Sequence, residues 1–113
     1  MEPNEPQLIV EHGTDVTIVT IEEENILEEP QIRRLDRALM PVIQRNLDKR
    51  LILNFESVKF MSSSFLGLLV KVHKRVLELN GHLQLCNLDP KIYKVFEITQ
   101  LTKVFDIAPI RRQ

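Results

Sequence analysis

Three consecutive hydroxyls, Ser62-Ser63-Ser64, stand ahead of Phe65-Leu66-Gly67, where an apolar run gives way to helical spacing. The first turn of a helix leaves backbone N–H groups unpaired and carries the positive end of the helix dipole. A serine oxygen can therefore cap it, and an added phosphoryl group meets a favourable field there. Capping is the plain reading and a phosphoacceptor the functional one. Nucleophilic catalysis would need a base within hydrogen-bond reach. His73 lies more than two helical turns beyond Ser63, on the flank of the apolar face, and the turn is not G-x-S-x-G, so a hydrolase finds no support. His12, His73 and His82 are scattered, with no Cys or carboxylate at ligand spacing, and no glycine-rich phosphate loop is present. Neither a metal nor a cofactor is expected.

The turn must be positioned by what flanks it. Upstream, Leu51 to Phe55 is apolar enough for a deeply buried strand. Downstream, Phe65, Leu68, Leu69, Val72, Val76 and Leu79 share one helical face, with Gly67, Lys71, Lys74 and Glu78 on the other. Asn80-Gly81 ends that helix, the glycine being suited to a left-handed residue. His82 to Leu88 reads as a strand, with Cys86 as a small core residue. Asp89-Pro90 supplies a cap and a first-turn proline for a shorter helix through Ile92, Val95, Phe96 and Thr99. Leu101 to Ile107 closes the chain, with a brief strand expected at Val104-Phe105.

Nearer the start, Leu8–His12 and Val16–Ile21 form a hairpin across Gly13-Thr14-Asp15. Thr17, Thr20 and the run Glu22-Glu23-Glu24 make that hairpin peripheral and wetter than Leu51 to Phe55. Glu28-Glu29-Pro30 then opens a long helix on Ile32, Leu35, Leu39, Val42, Ile43 and Leu47. Pro41 inside it predicts a bend or break between Ala38 and Pro41. The order β-β-α-β-α-β-α, with a possible last strand, implies an α/β fold: a mixed sheet of about four to five strands packed with three to four helices. One domain is expected over residues 8–110, with disorder in residues 1–7 and a tail at 111–113.

With 113 residues the chain supports one core. Its net charge of -1 argues against nucleic acid as the main partner, since phosphate backbones are met by a basic excess. The balance hides an asymmetry. Residues 1–31 carry nine acidic groups and no Lys or Arg, whereas the rest carries fifteen basic against seven acidic. A solvated surface is the plain account; steering toward an acidic protein surface is the alternative. The opening Met1-Glu2-Pro3-Asn4-Glu5-Pro6 lacks the basic and apolar regions of a secretory signal, and no apolar stretch is long enough to span a bilayer. A single cysteine fits a reducing compartment, so a cytoplasmic protein without membrane contact is expected.

The serine turn with its flanking strand and helix resembles the STAS domain, the fold of bacterial anti-sigma factor antagonists, where the stretch typically reads D-S-S/T-G-L-G. The likeness runs from about Leu8 to about Ile110. It takes in Gly81-His82-Leu83-Gln84-Leu85-Cys86-Asn87-Leu88-Asp89-Pro90 and the closing segment Val95 to Ile107. The resemblance implies a non-enzymatic regulator that binds an anti-sigma factor of the serine-kinase type and is released on phosphorylation. Ser63 takes the place of the phosphorylated serine, with Ser64 as the alternative; the chemistry would belong to the kinase. The implied docking surface is Ser62, Ser63, Ser64, Phe65, Gly67, Lys71 and Lys74. Two positions depart from the pattern: Ser62 replaces the aspartate and Phe65 the glycine. Phe65 falls in the middle of the apolar face, which favours the core over a partner anchor. Glu28 stands where the family has an aspartate, and its extra methylene could reach the serine turn, although a helix-start residue is simpler. A phosphorylation-independent interaction scaffold and a small-ligand module are the alternative functions.

Overall fold

Aliphatic side chains at every second position give the sheet one buried face and one half-buried face. The computed structural model describes residues 8–45 and 49–108. β1 (Leu8–His12) and β2 (Val16–Ile21) form the expected antiparallel hairpin, paired from Leu8 opposite Ile21 to His12 opposite Thr17. β4 (Arg50–Asn54), β6 (His82–Cys86) and β7 (Asp106–Ile107) continue in parallel, giving the order β1-β2-β4-β6-β7. A separate parallel ribbon joins β3 (Asn25–Ile26) to β5 (Phe60–Met61). Three helices, α1 (Glu29–Gln44), α2 (Ser63–Glu78) and α3 (Pro90–Ile98), make the crossovers. The α/β mixed sheet read from the sequence is the fold observed.

Of the two hairpin strands, only β1 lies at an edge of the sheet. β2 lies inside the sheet between β1 and β4, so Thr17, expected on a wetter face, is 1% exposed and sits level with Leu51. The buried face carries Val19, Ile21, Leu51, Leu53, Leu83 and Leu85, which join one core with Leu35 and Leu39 of α1, Phe65 and Leu69 of α2 and Phe96 of α3. The alternate residues Ile18, Thr20, Ile52, Asn54, Gln84 and Cys86 remain half-buried. Cys86, read as a core residue, points away from Leu83 and Leu85 because alternation places it on the opposite face.

α1 is one continuous helix through Pro41, so the break expected there as the alternative to a bend does not occur. The proline lies in the last turn on the exposed side, where water can satisfy the carbonyl that its ring leaves unpaired, and its own carbonyl still accepts from the Arg45 N–H at 3.1 Å. Leu47, expected on the same helical face, lies outside the described residues, as do Ile110 and the segments 1–7 and 111–113 read as disordered ends. At the end of α2 the left-handed residue is Asn80 (φ 62°), not Gly81. The glycine is there for space: a Cβ on it would come within 2.9 Å of the Lys49 carbonyl oxygen. α3 starts as expected, the Asp89 carboxylate accepting from the Lys91 N–H at 2.9 Å. A 3-10 turn (Leu101–Lys103) then places the last strand two residues later than expected. Phe105, expected in that strand, instead turns into the core against Phe96.

Candidate functional site

The ribbon of β3 and β5 fixes where α1 and α2 begin. The Lys59 and Phe60 N–H groups donate to the Glu24 carbonyl at 2.8 and 3.1 Å, and the Ser62 N–H donates to the Ile26 carbonyl at 2.9 Å. Two residues per strand suffice because Ile26 is fully buried and anchors the ribbon to the core. α1 is capped within its own loop: the Gln31 side-chain Oε1 accepts from the Leu27 and Glu28 N–H groups at 3.0 and 3.4 Å, as in a capping box. Glu28 is therefore the residue at the start of α1, and it is Glu29, one place further on, that reaches the serines.

The three serines have three different environments. Ser62 precedes the helix with φ -90° and ψ 167°, yet its hydroxyl makes no capping bond. Its Oγ is buried without a hydrogen-bond partner among the described residues. The expected side-chain cap is replaced by the Ser62 carbonyl, which accepts from the Phe65 and Leu66 N–H groups at 3.1 and 3.4 Å. Ser63 is the first helical residue and is exposed; its hydroxyl has no partner among the described residues. Ser64 is also exposed, but its hydroxyl donates to Glu29 Oε2 at 2.7 Å and ties α2 to α1.

Phe65 must be withdrawn from the docking surface. It is 0% exposed, edge-on to Phe55 with ring centroids 6.3 Å apart, because its helical phase turns it into the core. Gly67 is exposed, with no atom within 4 Å of an added Cβ, so the surface one turn beyond Ser63 is open. Lys71 and Lys74 lie roughly 12 and 16 Å further along the axis than Ser63 at 1.5 Å per residue. Lys71 Nζ bonds Asp36 Oδ2 at 2.8 Å, in line with Ser64–Glu29 and with Arg75 donating to Gln44 at 2.7 Å. These three contacts seam α1 to α2, so Lys71 belongs to the seam more than to the turn.

The sequence reading missed Leu27 and Phe60, both large, apolar and half-exposed at the rim of the turn. Ribbons of two residues carry no periodicity that would have placed them. The other candidates for chemistry lie elsewhere. His73 packs edge-on to Phe105 at 5.2 Å, and His82 Nε2 contacts Asp106 Oδ2 at 2.6 Å on the sheet. No cluster of His, Cys, Asp or Glu suited to a metal occurs among the described residues, and none of their helices is long and apolar enough to cross a membrane. The crevice lined by Ile43, Leu51, Val76 and Leu79 sits toward the other ends of α1 and α2.

Residues 7–113 match the STAS domain, so the chain belongs to the STAS domain family. It is 28% identical over 100 residues to the anti-sigma-B factor antagonist of Bacillus subtilis (strain 168), covering 88% of this chain and 87% of the relative. The fold is similar to that of an anti-sigma-factor antagonist (STAS) domain protein from Planctomyces limnophilus, with TM-score 0.78, 23% identity and coverage of 92% and 91%. It is also similar to the Bacillus cell fate determinant SpoIIAA in its phosphorylated form, with TM-score 0.66, 22% identity and coverage of 91% and 92%.

Proposed function

We propose that this chain is an anti-sigma factor antagonist that binds an anti-sigma factor of the serine-kinase type and is switched by phosphorylation at Ser63. The observation that carries this reading is the contrast among the serines: Ser62 Oγ is buried, Ser64 is bonded to Glu29, and Ser63 alone offers an exposed hydroxyl without a partner among the described residues. The described histidines lie away from it, so the base that removes its proton would come from the kinase. A phosphoryl group there adds roughly -1.5 to -2 charge at a helix start, which the dipole tolerates within the chain, while a partner packed over the same surface would have to desolvate it. Names of relatives support the same reading, since the Bacillus subtilis protein is an anti-sigma-B factor antagonist and one structural neighbour is described in a phosphorylated form.

Intact-mass measurement after incubation with the cognate kinase and ATP tests the switch. One added phosphate, abolished by Ser63→Ala, is the expected result. No added phosphate, or one that survives Ser63→Ala, rejects the site and favours a phosphorylation-independent scaffold.

A further inference from the structure

Leu27 is 53% exposed and Phe60 50% exposed, and both border the serine turn. The parallel register sets Asn25 beside Phe60 and Ile26 beside Met61, and the Ser62 N–H bond to Ile26 carries it one step further, placing Leu27 alongside Ser62. Alternation sends Ile26 into the core and turns Leu27 and Phe60 outward on the same side of the ribbon.

Local packing accounts for only part of each side chain. Leu27 stands just before the first residue of the α1 cap, the position from which a leucine staples the helix start, yet half of it stays in water. Lys91 Nζ lies 5.0 Å from the Phe60 ring centroid, and half of Phe60 still stays in water. The charges around the pair are unevenly divided. Glu28 and Glu29 are exposed on the α1 side, whereas Lys59 and Lys91 are exposed on the α3 side, Lys59 reaching Asp89 at 3.9 Å. The surface beside Leu27 therefore carries carboxylates, while beside Phe60 the lysines are accompanied by Asp89 and Glu24 and Lys91 is the cation nearest the ring.

We propose that Leu27 and Phe60 are the apolar anchors of the partner-docking surface, on the ribbon that leads into Ser63. The partner they fit is a folded protein presenting an apolar side chain, flanked by a basic group facing Glu28 and Glu29 and by a carboxylate facing Lys59 and Lys91. This rests on the reading of Ser63 as the centre of partner docking. Large apolar and aromatic side chains inside a polar rim are the anatomy of protein interfaces. The paired signs disfavour an anionic membrane or a nucleic acid, both of which Glu28 and Glu29 would repel. A dianion on Ser63 would stand at the edge of this surface and would have to be desolvated by a protein that rests on the anchors and reaches the turn.

Photo-crosslinking of the full chain in its own cells tests the anchors, with a photoreactive side chain at Leu27, Phe60, Gly67 or, as a still more exposed apolar position on α3, Ile98. The expected result is one protein, identified by mass spectrometry, captured from positions 27, 60 and 67 and absent from 98. That protein, once purified, is expected to bind Leu27→Ser and Phe60→Ser about tenfold or more weakly than wild type, to be weakened by Lys91→Glu, and to bind Ile98→Ser unchanged. Both serine variants are checked for native melting; exposure makes them tolerable, and Lys91→Glu reports on the surface independently. Capture from position 67 alone overturns the anchors and leaves the serine-turn reading intact. Capture from none of these positions overturns both. Adducts made only to a second copy of this chain replace the proposed partner by a homodimer.

Discussion

Three adjacent residues of one type are separated by a few ångströms of surroundings, and that separation has measurable consequences. Ser62 would normally be credited as a cap, worth about 1 kcal/mol, whose loss to alanine destabilises the helix. Its hydroxyl is instead buried and unpaired, and a buried polar group without a partner costs about 1–3 kcal/mol. Ser62→Ala is therefore expected to leave stability unchanged or raise it by about 1 kcal/mol in urea unfolding; a loss of that size would restore the capping role. Ser64 is different, because Glu29 holds its hydroxyl at 2.7 Å. Glu29→Ala releases that hydroxyl beside Ser63, and kinase treatment followed by peptide mapping is expected to find phosphate on Ser64 as well as Ser63. Phosphate confined to Ser63 in this variant would mean that the kinase, not the Glu29 bond, chooses the serine. The residues alone placed the cluster at a helix start correctly, while the preference for Ser63 over Ser64 came only from the family resemblance. Ranking depends on Glu29, 35 residues away, and on burial of a single oxygen.

Whole elements were legible wherever periodicity ran for several residues. The hairpin, the buried strand after Arg50, the amphipathic α2 and the capped α3 all follow from spacing and from Gly, Pro and Asp. β3 and β5 did not, since two-residue strands hold their place through backbone bonds to Glu24 and Ile26 and through one buried isoleucine. Gly81 was also read for the wrong reason. Its role is close approach to the Lys49 carbonyl, so Gly81→Ala is expected to lower the melting temperature although its φ is not positive. An unchanged melt would show that the start of β4 yields freely. The last strand has only two residues and is held beside β6 by side chains as well as backbone: His82 contacts Asp106 Oδ2 at 2.6 Å, and Gln84 Nε2 reaches Oδ1 at 3.5 Å. The hydrogen bond from His82 holds the Asp106 carboxyl below its ordinary 3.8, partly opposed by desolvation and helped by Gln84 and by the charges of His82 and Arg50. A carboxylate lowered on folding stabilises fully above its unfolded value, and that contribution is lost as pH falls through the folded one. The stability gap between wild type and Asp106→Asn is therefore expected to close as pH falls below about 4. A gap that persists to about pH 2 would rule out this contact as its source.

At the scale of the whole molecule, the question is whether a switch at Ser63 works by changing shape or by changing surface. Ser63 opens a helix whose inner face, from Phe65 to Val76, is locked into the single core, and its outer side is seamed to α1 by Ser64–Glu29, Lys71–Asp36 and Arg75–Gln44. Moving α2 would mean withdrawing Phe65 from beside Phe55, and emptying a buried phenylalanine site costs about 3–5 kcal/mol. An exposed charge at the helix start supplies no comparable force, being worth about 0.3–1 kcal/mol and, at the positive end of the dipole, favourable. The balance favours a rigid scaffold whose surface charge alone changes. Ser63→Asp is therefore expected to melt within a few degrees of wild type, with amide NMR shifts confined to the ribbon, the first turn of α1 and the first two turns of α2. Binding to the partner is expected to fall, and more steeply at low ionic strength, where charges at a docking surface are least screened. Shift changes spreading to β6 and α3 would show instead that the added charge is transmitted through the core, and the switch would then be conformational.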